Sequence, residues 1–146
     1  MSLDKALAEQ IMERILKFLK ADDLLAREIR EFRLSEPTKL IEFPLLYIEF
    51  SPTVGEYFIV KGANIYERRL RFNICVVDRH VEPEKADIHV FRLADYICRK
   101  LISDPTLGGV VEDSTIERVI PEYGLLGDHA ISQAKITLVC RVMWHA

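Results

Sequence analysis

The stretch Arg69-Leu70-Arg71-Phe72-Asn73-Ile74-Cys75-Val76 sets Leu70, Phe72, Ile74 and Val76 in strict alternation with Arg69, Arg71, Asn73 and Cys75, and beyond His80 and Pro83 the chain changes its period. A period of two places successive side chains on opposite sides of a strand, so the four apolar residues share a buried face and their neighbours a wet one. From Pro83 onward Ile88, Phe91, Ala94, Tyr96, Ile97, Cys98, Leu101 and Ile102 recur at helical spacing among charged residues. That spacing predicts a helix with a broad apolar stripe, stopped by Asp104-Pro105. A half-buried strand followed by an amphipathic helix calls for a fold that mixes both elements.

Upstream of this stretch, Leu45-Leu46-Tyr47-Ile48-Glu49-Phe50 lies between Pro44 and Ser51-Pro52 and is rich in aromatic and branched residues, which predicts a strand. Residues 56–60 begin a second one, bent or bulged at Gly62 and Asn64 before it resumes around Ile65. At the start of the chain Leu3, Leu7, Ile11, Ile15, Phe18 and Leu19 recur every three or four residues, which predicts an amphipathic helix over 3–20. Ser2 is its expected N-cap, with Asp4 in the first turn. Between Ala21 and Phe43 the pattern weakens around Pro37 and reads as a helical end followed by irregular connection.

Downstream, residues 110–121 and 131–144 read as extended segments separated by a turn region with Gly124, Gly127 and Asp128. In the last of them Ala134, Ile136, Leu138, Cys140, Val142 and Trp144 point one way, and Lys135, Thr137, Val139, Arg141 and Met143 the other. The expected architecture is α+β, in the order α-β-β-α-β-β, as a single domain over residues 1–146. Four strands form a mainly antiparallel sheet, and two main helices pack on one face and leave the other available.

Composition limits the functions. With 146 residues, 49% hydrophobic and 29% charged, the chain suits one compact domain rather than a disordered, collagen-like or coiled-coil protein. No apolar run approaches the roughly 18 residues a membrane span needs, and Asp4, Glu9 and Glu13 interrupt the start where a secretory signal would be apolar. A soluble, cytoplasmic protein is expected. A net charge of −3 supplies no general attraction for nucleic acid or an acidic membrane surface.

Residues capable of chemistry are present without the spacing chemistry needs. Cys75, Cys98 and Cys140 are odd in number and widely spaced, which fits reduced, largely buried thiols rather than disulfides or a zinc site. His80, His89, His129 and His145 form no HxxxH or HExxH pattern, so no metal is expected. Gly108-Gly109 lacks the lysine and hydroxyl residue of a phosphate loop and reads as a structural turn. Asp78-Arg79-His80 and Asp128-His129 are the acid-base candidates, and a hydrolase built on Asp78, His80 or His129 is one possible reading; it lacks a recognisable nucleophile elbow.

Two arginine groups remain. Arg27, Arg30 and Arg33 are spaced by three, and Arg68, Arg69 and Arg71 lie beside Tyr66 and Phe72. Glu28, Glu31 and Glu67 neutralise much of the field that nucleic acid would need, whereas arginines on a sheet face suit carboxylates of another subunit. Val77, Val139 and Met143 fall on the supposedly wet sides of their strands. Together with Arg69, Arg71 and Arg141 they form the expected subunit interface.

The order of segments carries a resemblance. An opening helix, the strand of Phe43-Pro44-Leu45-Leu46-Tyr47-Ile48, the strand from Arg69 to Val77, a helix running into Leu101-Ile102-Ser103-Asp104-Pro105-Thr106-Leu107-Gly108-Gly109-Val110-Val111 and the closing strand from Ala134 to Val142 resemble the tail terminator and tail completion proteins, minor tail proteins of long-tailed bacteriophages and related prophages. The resemblance implies a structural virion protein rather than an enzyme, without cofactor, that forms a homo-oligomeric ring with a hexamer as one candidate count. Such a ring caps the tail tube, stops its growth and offers a head-tail joining surface. The implied partners are other copies of itself, the major tail tube protein and head-tail connector proteins, with no membrane and no specific nucleic acid. The implied location is the host cytoplasm during assembly and then the virion tail. Only the turn from Asp104 to Gly109 is carried over, as a structural marker. The other reading is a small cytoplasmic ferredoxin-like binding or regulatory domain, which a ligand pocket would favour.

Overall fold

The computed structural model describes residues 6–36, 41–50, 57–62, 64–79, 82–126 and 128–145, and at 57–61, 83, 144 and 145 the description is of the backbone alone. Helix α1 (Leu7–Lys20) buries Ile11, Ile15 and Leu19 along one side, with Glu9 in its first turn and Lys17 and Lys20 in its last, where they suit the helix dipole. The helix begins at Leu7 after Ala6; Ser2, expected as its N-cap, and Asp4, expected in its first turn, lie outside the described residues.

The stretch expected to be irregular contains two short elements. Helix α2 (Asp23–Glu28) is capped by Asp22, whose carboxylate accepts the Leu25 N–H at 3.1 Å. Strand β1 (Glu31–Leu34) then pairs in parallel with β2 (Leu45–Phe50). Elements this short show no period of their own, and β1 is defined by its partner rather than by its sequence.

Strands β2 and β3 (Tyr57–Gly62) both run antiparallel to β4 (Ile65–Arg79), β2 beside Phe72–Val77 and β3 beside Ile65–Arg69. They lie end to end along one edge of β4. The chain reverses between Gly62 and Ile65, with Asn64 at φ 66°, so the expected bend within one strand is a hairpin between two. A register shift between Val60 and Gly62 precedes it.

Helix α3 (Pro83–Ser103) leads to β5 (Asp113–Leu126) and β6 (His129–His145). Strand β6 inserts between β4 and β5, antiparallel to both, which makes β4-α3-β5 a split β-α-β unit. The fold is α+β, as expected, but its mixed sheet has six strands filling five positions, where four strands were expected, and three helices instead of two.

The core lies between the helices and one face of this sheet. Leu70, Phe72, Ile74 and Val76 of β4 and Ala134, Ile136, Leu138 and Cys140 of β6 pack with Ile11, Ile15 and Leu19 of α1 and Val90, Ile97 and Leu101 of α3. Each large side chain enclosed there contributes about 1.5 to 3 kcal/mol. The side chain of Trp144, expected on this face, lies outside the described residues.

The α3 stripe needs correction. Its buried side is Ala86, Val90, Leu93, Ala94, Ile97 and Leu101, while Ile88, Phe91 and Ile102 are 49%, 41% and 69% exposed. A helix of 21 residues has room for apolar residues on two faces, and the sheet covers one of them.

Side-chain ties hold the helices in place. Arg14 Nε of α1 donates to the Leu107 carbonyl at 2.9 Å. Asp22 accepts the Tyr96 hydroxyl at 2.9 Å and lies 3.1 Å from Lys100 Nζ, joining the α1-α2 corner to α3. Leu107, Gly108 and Gly109 have φ of 52°, 73° and 93°, and the Gly108 N–H donates to Asp104 at 3.0 Å. A side chain on Gly108 would displace the Arg14 guanidinium, and the left-handed φ is what favours glycine at this position. The turn is built structurally. No described helix is long and apolar enough to cross a membrane.

Candidate functional site

Odd-numbered residues of β4 and β6 point away from the helices, and the face they form differs from one end to the other. At the end beside β2, Leu45, Tyr47, Cys75, Val77, Leu126 and Ile131 form a second buried cluster with Ile41 and Phe43 packed against it. His129 meets the Phe43 ring edge-on, with centroids 5.2 Å apart. Val77, expected at a subunit contact, is fully buried here, because Ile41 and Phe43 before β2 and Leu126 and Ile131 of β5 and β6 pack over this end. Burial pushes the Cys75 thiol up to about 12, against the opposing effect of its hydrogen bond with Tyr47, and burial raises the Tyr47 phenol as well. Cys140, in the main core, is likewise pushed up to about 12 by burial. These thiols stay protonated and inert.

A polar belt crosses the middle. Thr137 Oγ1 donates to Asn73 Oδ1 at 3.0 Å, Asn73 Nδ2 donates to Glu49 Oε1 at 3.4 Å, and Lys135 Nζ lies 3.3 Å from Glu122 Oε1.

The far end carries the arginines. The register puts Arg69 opposite Arg141 and Arg71 opposite Val139, and two like charges directly across a ladder repel. Glu67, only 1% exposed, resolves this by taking both: Arg69 Nε donates to it at 2.7 Å and Arg141 Nη1 at 3.4 Å. A register shift between Ile116 and Arg118 makes Glu117 an extra residue of β5, and its carboxylate accepts Arg71 Nε at 2.7 Å. These side chains border a groove of about 360 Å³ with Val139 on its floor, and half-buried Met143 stands beside Glu67 on the neighbouring strand.

The structure therefore brings Arg69, Arg71, Val139, Arg141 and Met143 together at one end of the sheet face that no described helix covers, and separates Val77 from them. Glu67 entered the sequence reading only as a neutralising charge. Its place in the alternation, two residues before Arg69 on the same face, was the available signal.

The acid-base candidates divide differently. His80 lies outside the described residues. Asp78 Oδ2 sits 2.8 Å from His89 Nδ1, and His89 Nε2 is 3.8 Å from Glu28, a partner that the spacing in sequence did not reveal. Among the described residues the cleft beside them is lined by Asp78, Arg79, Glu82, Lys85, Ala86 and His89, which offer no hydroxyl or thiol nucleophile. Arg27 belongs to α2 and Arg33 to β1, where it pairs with Glu31 at 2.9 Å, so the spacing of three does not form one basic helical face. Among the described residues no three His, Cys, Asp or Glu side chains gather as metal ligands. The arginine end can recognise carboxylates and bury modest apolar area on a preorganised surface.

No protein-family model matches this chain, and no curated protein matches its sequence.

Proposed function

We propose that this protein is a ring-forming structural subunit of a phage-like tail, which caps the tail tube, ends its growth and presents a joining surface to the head. The supporting observation is the end of the sheet face that no described helix covers, where Arg69 and Arg141 are fixed over a buried Glu67 beside Val139 and Met143. Mixed arginine and apolar side chains held by a buried carboxylate form a rigid recognition surface, whereas the same arginines on flexible stems would lose more entropy on binding. A head-to-tail contact repeated around a closing rotation covers that surface in every subunit and gives a ring with two unlike faces. The role is structural, without catalysis or cofactor, and its partners are further copies of the chain, a tail tube protein and head-tail connector proteins.

Mixing the protein with polymerised tail tube protein from the same source and imaging the tubes tests this reading. Rings seated at tube ends and tubes of limited length are expected; tubes that grow unchanged with bare ends would sink it.

The split β-α-β unit favours a second reading, a small ferredoxin-like binding domain. Native mass spectrometry of the protein purified from its source would then show a retained small ligand.

A further inference from the structure

A head-to-tail ring needs two different patches on each chain, and the arginine end of the sheet supplies only one. We infer that the solvent side of α3 in one copy packs onto the arginine end of the sheet face that no described helix covers in the next, an assignment that rests on the ring reading above.

The solvent side of α3 has an apolar and acidic stripe. Glu84, Ile88, Phe91, Asp95 and Ile102 follow one another at spacings of four, three, four and seven, which keeps them on one line along the helix. All five are exposed, and this line lies opposite the buried side formed by Val90, Leu93, Ile97 and Leu101. Its apolar members are large side chains turned to solvent on a helix whose other side is fully enclosed. Surfaces of that kind mark contacts.

The signs of charge match. On the sheet, the Glu67 carboxylate is 1% exposed and lies beneath Arg69 and Arg141, which are 37% and 39% exposed, so the outward edges at this place are guanidinium. On the helix, the stripe carries the carboxylates of Glu84, at its N-terminal end, and Asp95, between Phe91 and Ile102, and Arg92 and Arg99 stand at its margin. Carboxylates facing guanidinium forks form charge-assisted pairs, and the marginal arginines meet the same pattern in reverse at Asp113 and Glu117 beside the groove. A helix laid on an uncovered sheet face repeats the layer packing that the domain already uses on its other side. The occupant is therefore a second copy of this chain.

Disulfide trapping between single-cysteine reporters tests the pairing. In a Cys98→Ser background, which removes the half-buried thiol of α3 and leaves Cys75 and Cys140 enclosed, Phe91→Cys and Val139→Cys are made as separate proteins. They are then oxidised alone and mixed. A cross-linked dimer that forms only in the mixture is expected, and Asp95→Arg in the parent should raise the concentration for half-assembly about tenfold. Rings visible by electron microscopy without the mixed cross-link, or a cross-link formed equally by either variant alone, would overturn the inference and leave the ring reading standing. A parent that forms no rings at its highest soluble concentration, with no cross-link, would overturn both. Unchanged thermal melting of each variant separates loss of contact from loss of fold.

Discussion

The two sides of β4 and β6 obey the same alternation and end in different states. Toward the helices, Leu70, Phe72, Ile74, Ala134, Ile136 and Cys140 are fully buried, whereas on the other side Arg69, Arg71, Val139 and Arg141 keep contact with water. Along that second side the contrast recurs, because Cys75 and Val77 are sealed by the segment before β2 while the arginines a few residues earlier are not. Alternation decides which side a residue takes. Whether that side is covered depends on chain that arrives from elsewhere in the sequence.

The largest expected effect separates the two sides directly. Ile136→Ala removes a fully enclosed side chain and should cost about 2 to 5 kcal/mol in chemical denaturation. The neighbouring Lys135→Ala should cost at most about 1 kcal/mol, since Lys135 is on the other side in a partly exposed pair with Glu122. Equal losses would mean that the register is shifted by one residue.

A smaller effect concerns what keeps the helices on their side. Gly108→Ala forces a side chain into a left-handed turn and against the Arg14 guanidinium, and should cost about 1 to 3 kcal/mol. Gly109→Ala, at φ 93° with open space around it, isolates the cost of the backbone conformation from that of the Arg14 contact. A thermal melt in which both variants match the wild type would show that the Arg14 contact does not constrain this turn.

Asp22→Ala comes next, at about 0.5 to 2 kcal/mol, from loss of the α2 cap. Burial raises the Asp22 carboxyl, but the Leu25 N–H, Lys100 and Tyr96 outweigh it and hold the group below its ordinary 3.8. A carboxyl depressed in the folded state stabilises fully above 3.8, and that contribution is lost as pH falls through the lower folded value. The difference between wild type and Asp22→Ala should therefore be constant near neutrality and shrink below pH 3.8. A difference that grows on acidification would contradict the assignment.

These contrasts also show what could be read from the chain alone. The faces of β4 and β6 were legible because fifteen and seventeen residues give the alternation many repeats. Strand β1, with four residues, had no such signal, and the hairpin at Gly62 and Asn64 could not be told from a bulge without knowing what paired with what. In α3 two apolar lines were merged into one stripe, since spacing alone cannot say which of them the sheet covers. Of the expected interface, five members share a surface because the alternation was right. Val77 does not, because its cover comes from residues before β2.

Val139 is where the reading of the uncovered side can be decided. It sits opposite Arg71 and Thr115, so an aspartate there finds a guanidinium across the strand pair and the monomer should keep its fold. Sedimentation velocity of wild type and Val139→Asp, with a thermal melt of each, is the measurement. The expected result is a closed oligomer for the wild type and a monomer with unchanged melting for Val139→Asp; a variant that assembles as fully as the wild type would contradict the assignment of this face to subunit contact.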